Sequence, residues 1–190
     1  MRKWILLASL VVLGLLCLFS GTLFPETPVD EKSIPEFSSA DIAWMLVSSA
    51  MVLIMTPGLG FFYGGMVRKK NVISTILQSF IAMGVITVVW VVIGFGLAFG
   101  DSIGGIIGNP SKFLFFSNVG TKSAWSLAPT IPLILFAVFQ MKFAIITPAL
   151  ISGAFAERIR FWGYLLFIIL FSLFIYSPLA HAVWHPDGIL

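Results

Sequence analysis

FQMKFAIITPALISGAFAERIRF, residues Phe139 to Phe161, is the back half of an apolar run that starts at Ile131, carries no charge except Lys142, and breaks off into Glu157, Arg158 and Arg160. A bilayer core about 30 Å thick is crossed by roughly 20 apolar residues in helical form. Ile131–Phe155 has that length before the basic turn begins. The same layout stands upstream in MTPGLGFFYGGMVRKKN, Met55 to Asn71, where an apolar run from Ile42 to Met66 ends on Arg68, Lys69 and Lys70. Extending the reading in both directions divides the chain into Trp4–Leu23, Ile42–Met66, Val72–Phe99, Ile131–Phe155 and Phe161–Ala182. Lipid offers no partner to backbone N–H and C=O groups, so such runs close their hydrogen bonds internally as helices, and none alternates as a barrel strand does. The fold class is an all-α polytopic membrane protein.

Composition agrees. The residues are 59% hydrophobic and 10% charged, with a mean hydropathy of +1.06, where a soluble chain carries roughly 25% charge. The pI of 9.2 does not indicate a nucleic-acid partner, because the basic residues stand singly or in small groups between apolar runs and form no continuous face. They report topology instead. Arg2 and Lys3, Arg68 to Lys70, and Arg158 with Arg160 fall on one side, the cytoplasmic one by the positive-inside rule, while Lys32, Lys112 and Lys122 fall on the other. The Pro-punctuated linker 25–41, with Glu26, Asp30, Glu31, Glu36 and Asp41, and the Gly/Ser-rich loop 100–130 are then extracytoplasmic. The turns 67–71 and 156–160 are cytoplasmic.

Residues 1–24 read equally as an extra transmembrane helix or as a removed signal peptide. Cys17 is the single cysteine, which leaves no disulfide framework and no Cys-based metal site, and Leu16 before it does not suit a lipoprotein signal. No nucleophile–base pair and no Gly-rich phosphate loop is visible, and Glu157 and Asp187 fall on opposite sides of the membrane, so the chain does not read as an enzyme and calls for no cofactor. Glu157 reads as pairing with its basic neighbours or capping the next helix.

Within the second run, Pro57 and Gly58 interrupt an otherwise regular helix, and Gly60, Gly64 and Gly65 recur at near-helical spacing, as residues do where backbones pack closely. Phe139 and Phe143 are one turn apart on one helical face. Such a ring pair holds a dehydrated cation, gates a narrow conduit, or packs in a core or against lipid. Gln140 and Lys142 beside it favour a cavity, since polar groups at membrane depth face a cavity or a partner. Trp184 sits at the outer interface, either as part of an aromatic belt or as an indole facing a vestibule. His181 and His185 have metal-ligand spacing, but no third ligand accompanies them and Pro186 ends the helix.

MTPGLGFFYGGMVRKKN, LAFGD at Leu97–Asp101, FQMKFAIITPALISGAFAERIRF and SPLAHAVWHPDG at Ser177–Gly188 together resemble the N-terminal part of the ammonium transporter (Amt/Mep/Rh) family. The most specific pieces are PG-x-x-x-FYGG-x-x-R-x-KN and GA-x-AER-x-R-F, and the resemblance runs from about Asp41 to Leu190. It implies a bundle of eleven transmembrane helices in two inverted repeats, a homotrimer with one pore per subunit, a multi-pass place in the cell (inner or plasma) membrane, and in some members a cytoplasmic regulatory partner. This chain then supplies the first four of those helices after its N-terminal segment. Trp184 resembles the ammonium-recruiting Trp, Phe139 the outer gate Phe, and Phe143 the inner gate Phe that also touches the recruited ion. Phe62 resembles a pore-facing aromatic, with Gln140 as a further pore-lining residue.

The family's vestibule Asp and two pore histidines are expected downstream of Leu190, and neither His181 nor His185 matches them. The expectation is therefore that residues 1–190 alone do not close a pore. Lys142 beside a cation gate opposes recruitment by Coulomb repulsion, unless its side chain points away to an acceptor in the trimer contact or the remaining half. The function implied is transport of ammonium and ammonia. The alternative is an ammonium sensor or regulatory membrane module that binds but does not conduct.

Overall fold

The computed structural model describes residues 35–190. The run Trp4–Leu23 and most of the linker 25–41 lie outside the described residues. Among the described residues four helices are long and apolar enough to cross a membrane: Ser39–Met66, Lys69–Phe99, Leu133–Phe155 and Phe161–Trp184. They match the last four runs of the sequence, with small shifts that have local causes. The first starts at Ser39 rather than Ile42 because the Ser38 hydroxyl accepts from the Asp41 N–H at 3.3 Å, and Asp41 places a carboxylate in the positive first turn. The fourth runs on to Trp184 rather than stopping at Ala182.

The first span is one helix, α1 (Ser39–Met66). The second opens with a 3-10 turn, Lys69–Asn71, and continues as α2 (Val72–Val89), a π-helical turn at Trp90–Gly94, and α3 (Phe95–Phe99). The third is α4 (Leu133–Phe155). The fourth is α5 (Phe161–Phe171), a second π-helical turn at Ser172–Tyr176, and α6 (Ser177–Trp184). The membrane-spanning helices thus form a polytopic bundle.

Pro57 does not interrupt α1, contrary to the reading of its sequence, and α4 likewise runs through Pro148. A proline deletes one backbone bond, but in an apolar span there is no water to reward unwinding the rest. Gly60 and Gly64 do bring helices together. A Cβ at Gly60 would stand 3.1 Å from Ser79 Cβ, and one at Gly64 would stand 2.8 Å from Ile76 Cγ1, whereas Gly65 faces open space. The α1–α2 contact therefore rests on two of the three recurrent glycines.

The densest packing lies toward the end where α3 meets the long loop. Trp90, at the first π turn, is fully buried and donates from its indole N–H to the Ala137 carbonyl at 3.1 Å. Its ring meets Tyr176 of the second π turn at 6.2 Å and 63°, so the two irregular turns face each other across the bundle. Phe99 adds edge contacts to Trp125 at 5.5 Å and Phe136 at 5.1 Å.

The Gly/Ser-rich loop is not featureless. β1 (Asp101–Ile103) pairs antiparallel with β2 (Ile107–Asn109) around Gly104 and Gly105, whose φ values of 65° and 74° suit a tight hairpin turn. β3 (Ala124–Trp125) pairs with β4 (Ala128–Pro132), and the Ser38 N–H donates to Thr130 O at 2.9 Å, hanging the start of α1 on the second hairpin.

At the opposite, basic end, Glu157 does not pair within its own turn as its neighbours suggest. Its Oε1 accepts from the Arg68 N–H and from Asn71 Nδ2, both at 2.9 Å, and its Oε2 lies 3.5 Å from Arg68 Nε. Glu157 has φ 64°, a left-handed turn that sends the chain back from α4 into α5 and delivers the carboxylate to the α1–α2 turn. Those contacts hold its carboxyl below the usual range, the Asn71 amide first and the Arg68 N–H second.

Candidate functional site

The site expected from the sequence lies toward the hairpin end. Phe139 and Phe143 occupy successive turns of α4, their ring centroids 5.1 Å apart at an interplanar angle of 75°. This edge-to-face geometry sets the positive rim of one ring against the negative face of the other. Both rings are half-buried, and counting from Leu133 at 1.5 Å per residue places them about 9 and 15 Å into the span. Gln140 and Lys142 are also half-buried. At 3.6 residues per turn they stand about 160° apart around α4, one on either flank of the ring pair.

Trp184 ends α6 with 42% of its surface exposed and makes no ring contact among the described residues. An indole in that state leaves part of its surface open at the hairpin end of the bundle. Phe62 is 63% exposed, and its ring contact is with Tyr63 at 5.6 Å. Tyr63 is itself tied to α4 by donating to the Leu150 carbonyl at 2.7 Å. The structure thus brings Phe139 and Phe143 together and places Trp184 at the same end of the bundle, but it does not join Phe62 to that pair.

His181 is fully buried. Its Nδ1 lies 2.9 Å from the Ala98 carbonyl and its Nε2 lies 2.9 Å from Ser102 Oγ, so both nitrogens are engaged by the hairpin end of the second span and by β1. The His185 ring stacks on it at 4.3 Å and 20° and is in edge contact with Trp125 at 5.4 Å. Trp125 in turn stacks on Phe136 at 5.7 Å and 11°. Burial first, and the adjacent His181 second, push the His185 imidazole below its ordinary value, against the pull of the Asp187 carboxylate. Metal ligation is not built here: the His181 nitrogens are taken, and no group of three metal-ligating side chains occurs among the described residues.

The sequence reading overlooked Ser102, Trp125 and Phe136. Phe136 was detectable, since it precedes Phe139 and Gln140 at helical spacing. Trp125 and Ser102 lie in the hairpin loop, where no periodicity signals which side chain faces the bundle.

An open cavity of about 800 Å³ sits beside the second hairpin, lined in part by Lys112, Lys122, Phe113, Trp125 and Ser126. None of the aromatic candidates lines it, and two ammonium side chains at its wall disfavour a cationic ligand.

The Ammonium Transporter Family profile matches residues 43–190. An ammonium transporter of Mycobacterium tuberculosis is 50% identical over 161 residues, covering 78% of this chain and 34% of that protein. Among solved structures, Candida albicans Mep2 superposes with a TM-score of 0.74 at 30% identity, covering 85% of this chain and 34% of that one. A structure described as a sensor Amt protein matches with a TM-score of 0.67 at 28% identity, covering 75% of this chain and 33% of that one. The chain spans about a third of the length of the relatives it matches. The family is one of membrane transporters and not of enzymes. With its described spans in the expected places and the family profile matched over residues 43–190, the chain belongs to the ammonium transporter family.

Proposed function

We propose that this chain forms the recruitment end of an ammonium pathway, with Trp184 and Phe143 attracting the cation and the Phe139–Phe143 pair gating the way inward. The observation that carries this reading is the edge-to-face Phe139–Phe143 contact on α4, at the same end of the bundle as the part-exposed Trp184 indole. An aromatic face attracts a small cation by about 0.5–2 kcal/mol, more as water is excluded. That is enough to concentrate ammonium at a mouth without trapping it. Further in, hydrocarbon-like walls reject a bare charge at a cost of many kcal/mol, whereas neutral ammonia loses only hydrogen bonds. Deprotonation at the mouth followed by passage of ammonia is therefore the physical route.

In this proposal the complete assembly is an eleven-helix, two-repeat bundle, trimeric, in the inner or plasma membrane, with the hairpin end outside and the Arg68 and Arg158 turns in the cytoplasm. The closed pore draws on residues beyond the spans described. A cytoplasmic regulatory protein would meet the basic end. Gln140 and Phe62 complete the lining in the same scheme, Phe62 only once further segments cover its exposed face. The second reading, an ammonium sensor that binds without conducting, is favoured by the likeness to the sensor Amt protein.

The complete product of the gene, expressed in cells lacking their own ammonium uptake, tests both. Saturable uptake of labelled methylammonium, competed by ammonium and weakened at low concentration by Trp184→Ala, supports transport. Ammonium binding with no flux supports the sensor. Neither binding nor flux removes both.

A further inference from the structure

His181 is buried, engaged at both ring nitrogens, and stands three residues before Trp184 on the same short helix. The Ala98 carbonyl only accepts hydrogen bonds, so Nδ1 carries the proton that faces it, whatever the charge of the ring. In the neutral ring Nε2 is then an acceptor, and its donor is the Ser102 hydroxyl at 2.9 Å, whose single proton is then withheld from the Asp187 carbonyl 3.3 Å away. Ser102 Oγ accepts in turn from the Gly105 N–H at 3.2 Å, on the hairpin turn between β1 and β2. The same turn holds the segment after Trp184, because the Ile189 N–H donates to Gly105 O at 3.1 Å while Leu190 N–H returns to Ala182 O at 2.9 Å. The last turn of α6 is thus clamped from both sides.

A second set of contacts runs from this clamp to the gate. His185 stacks on His181 and touches Trp125, and Trp125 stacks on Phe136, which lies one turn before Phe139 and Gln140 on α4. The backbone of α6 carries Trp184, and α4 carries the ring pair. The spacing between them is fixed at this end by the clamp and by the stack.

We infer that His181, through Ser102 and Ala98, is a positioning residue that sets the place of Trp184 relative to Phe139 and Phe143, without itself touching the transported ion. This rests on the reading of Trp184 as the recruiting side chain. The roles differ in a measurable way. A residue that only stabilises the bundle changes the amount of protein, and with it the maximal rate. One that positions Trp184 changes the concentration at which uptake is half-saturated, and loses that effect when the indole is gone.

The test uses the complete gene product and initial rates of labelled methylammonium uptake, normalised to membrane-inserted protein. His181→Asn keeps a donor for Ala98 and drops the Ser102 link. Ser102→Ala leaves the buried imidazole in place and is the variant to rely on if His181→Asn does not assemble. Each is expected to raise half-saturation about threefold to fivefold, within the range of a weakened cation–π contact, with little change in maximal rate. Neither adds anything further in a Trp184→Ala background. If Trp184→Ala raises half-saturation while Ser102→Ala and His181→Asn leave it unchanged, or if their effects persist in full without the indole, the positioning role is overturned and the reading of Trp184 survives. If Trp184→Ala itself leaves half-saturation unchanged, the recruitment reading falls and this inference falls with it.

Discussion

Phe139 and Phe143 meet edge to face across one turn of α4, 5.1 Å between centroids and 75° between planes. In the proposed pathway a closed pair of this kind would shield the way inward from water and would open by rotation of one side chain. Edge-to-face pairs are worth about 0.5–1.5 kcal/mol beyond their buried area, small enough for thermal opening and large enough to bias the closed state. In the complete gene product, Phe143→Ala is expected to raise half-saturation for methylammonium about tenfold, because in the proposed pathway it removes both a gate ring and a cation contact. Phe139→Ala should act more on maximal rate. Initial-rate uptake over a range of concentrations separates the two, and identical profiles for the variants would count against the division of roles.

Gly64 and Gly65 differ in what a methyl group would meet. At Gly64 it enters the space of Ile76, and at Gly65 it meets nothing. Gly64→Ala should lower stability by about 1–3 kcal/mol, the cost of overpacking a close helix contact. Gly65→Ala should be neutral or slightly stabilising, since alanine is favoured over glycine in a helix by up to about 1 kcal/mol. Thermal unfolding of the detergent-solubilised protein checks the ordering, and equal losses at both positions would contradict the α1–α2 contact described.

Glu157 bridges turns far apart in sequence, and its carboxyl is held below the ordinary value of 4.5 by the Asn71 amide and the Arg68 N–H. A depressed carboxyl pKa contributes stability that is present in full above the unfolded value and is lost as pH falls through the lowered folded one. The melting temperature of the parent should therefore exceed that of Glu157→Gln at neutral pH, with the gap closing as pH falls through the ordinary carboxylate range toward the lowered folded value. Glu157→Gly should melt above Glu157→Ala, because φ 64° strains alanine but not glycine. A gap that widens on acidification would reverse the assigned sign.

Lys142 flanks the ring pair on the side opposite Gln140 and is half-buried. If its ammonium group faces away from the gate, Lys142→Met leaves methylammonium uptake within about twofold of the parent, the scatter expected of a charge outside the path. A large gain in apparent affinity would instead place the charge at the gate, repelling the incoming cation.

The four described spans were legible in the sequence because each is a run of apolar residues bounded by charge, and only their ends shifted, as at Ser38 with its cap. The Phe139–Phe143 pair was legible for the same reason, being a local helical spacing. Pro57 misled, since proline is read as a breaker by rules learned in water. The contacts of His181 with Ala98 and of Glu157 with Asn71 were not legible at all. They join residues 83 and 86 positions apart, and nothing in either segment names its partner. The place of Phe62 was not legible either: its spacing does not show that the ring is exposed and set against Tyr63, away from the Phe139–Phe143 pair.

The most direct test of the central claim is flux. The complete gene product, reconstituted in liposomes enclosing a pH-sensitive dye, is exposed to an inward ammonium gradient, beside the Trp184→Ala variant. The account predicts a protein-dependent pH response that saturates with ammonium, and a rise of about tenfold in half-saturation in the variant, the scale of a lost cation–π contact. A response no greater than that of empty liposomes, or a variant indistinguishable from the parent, would contradict it.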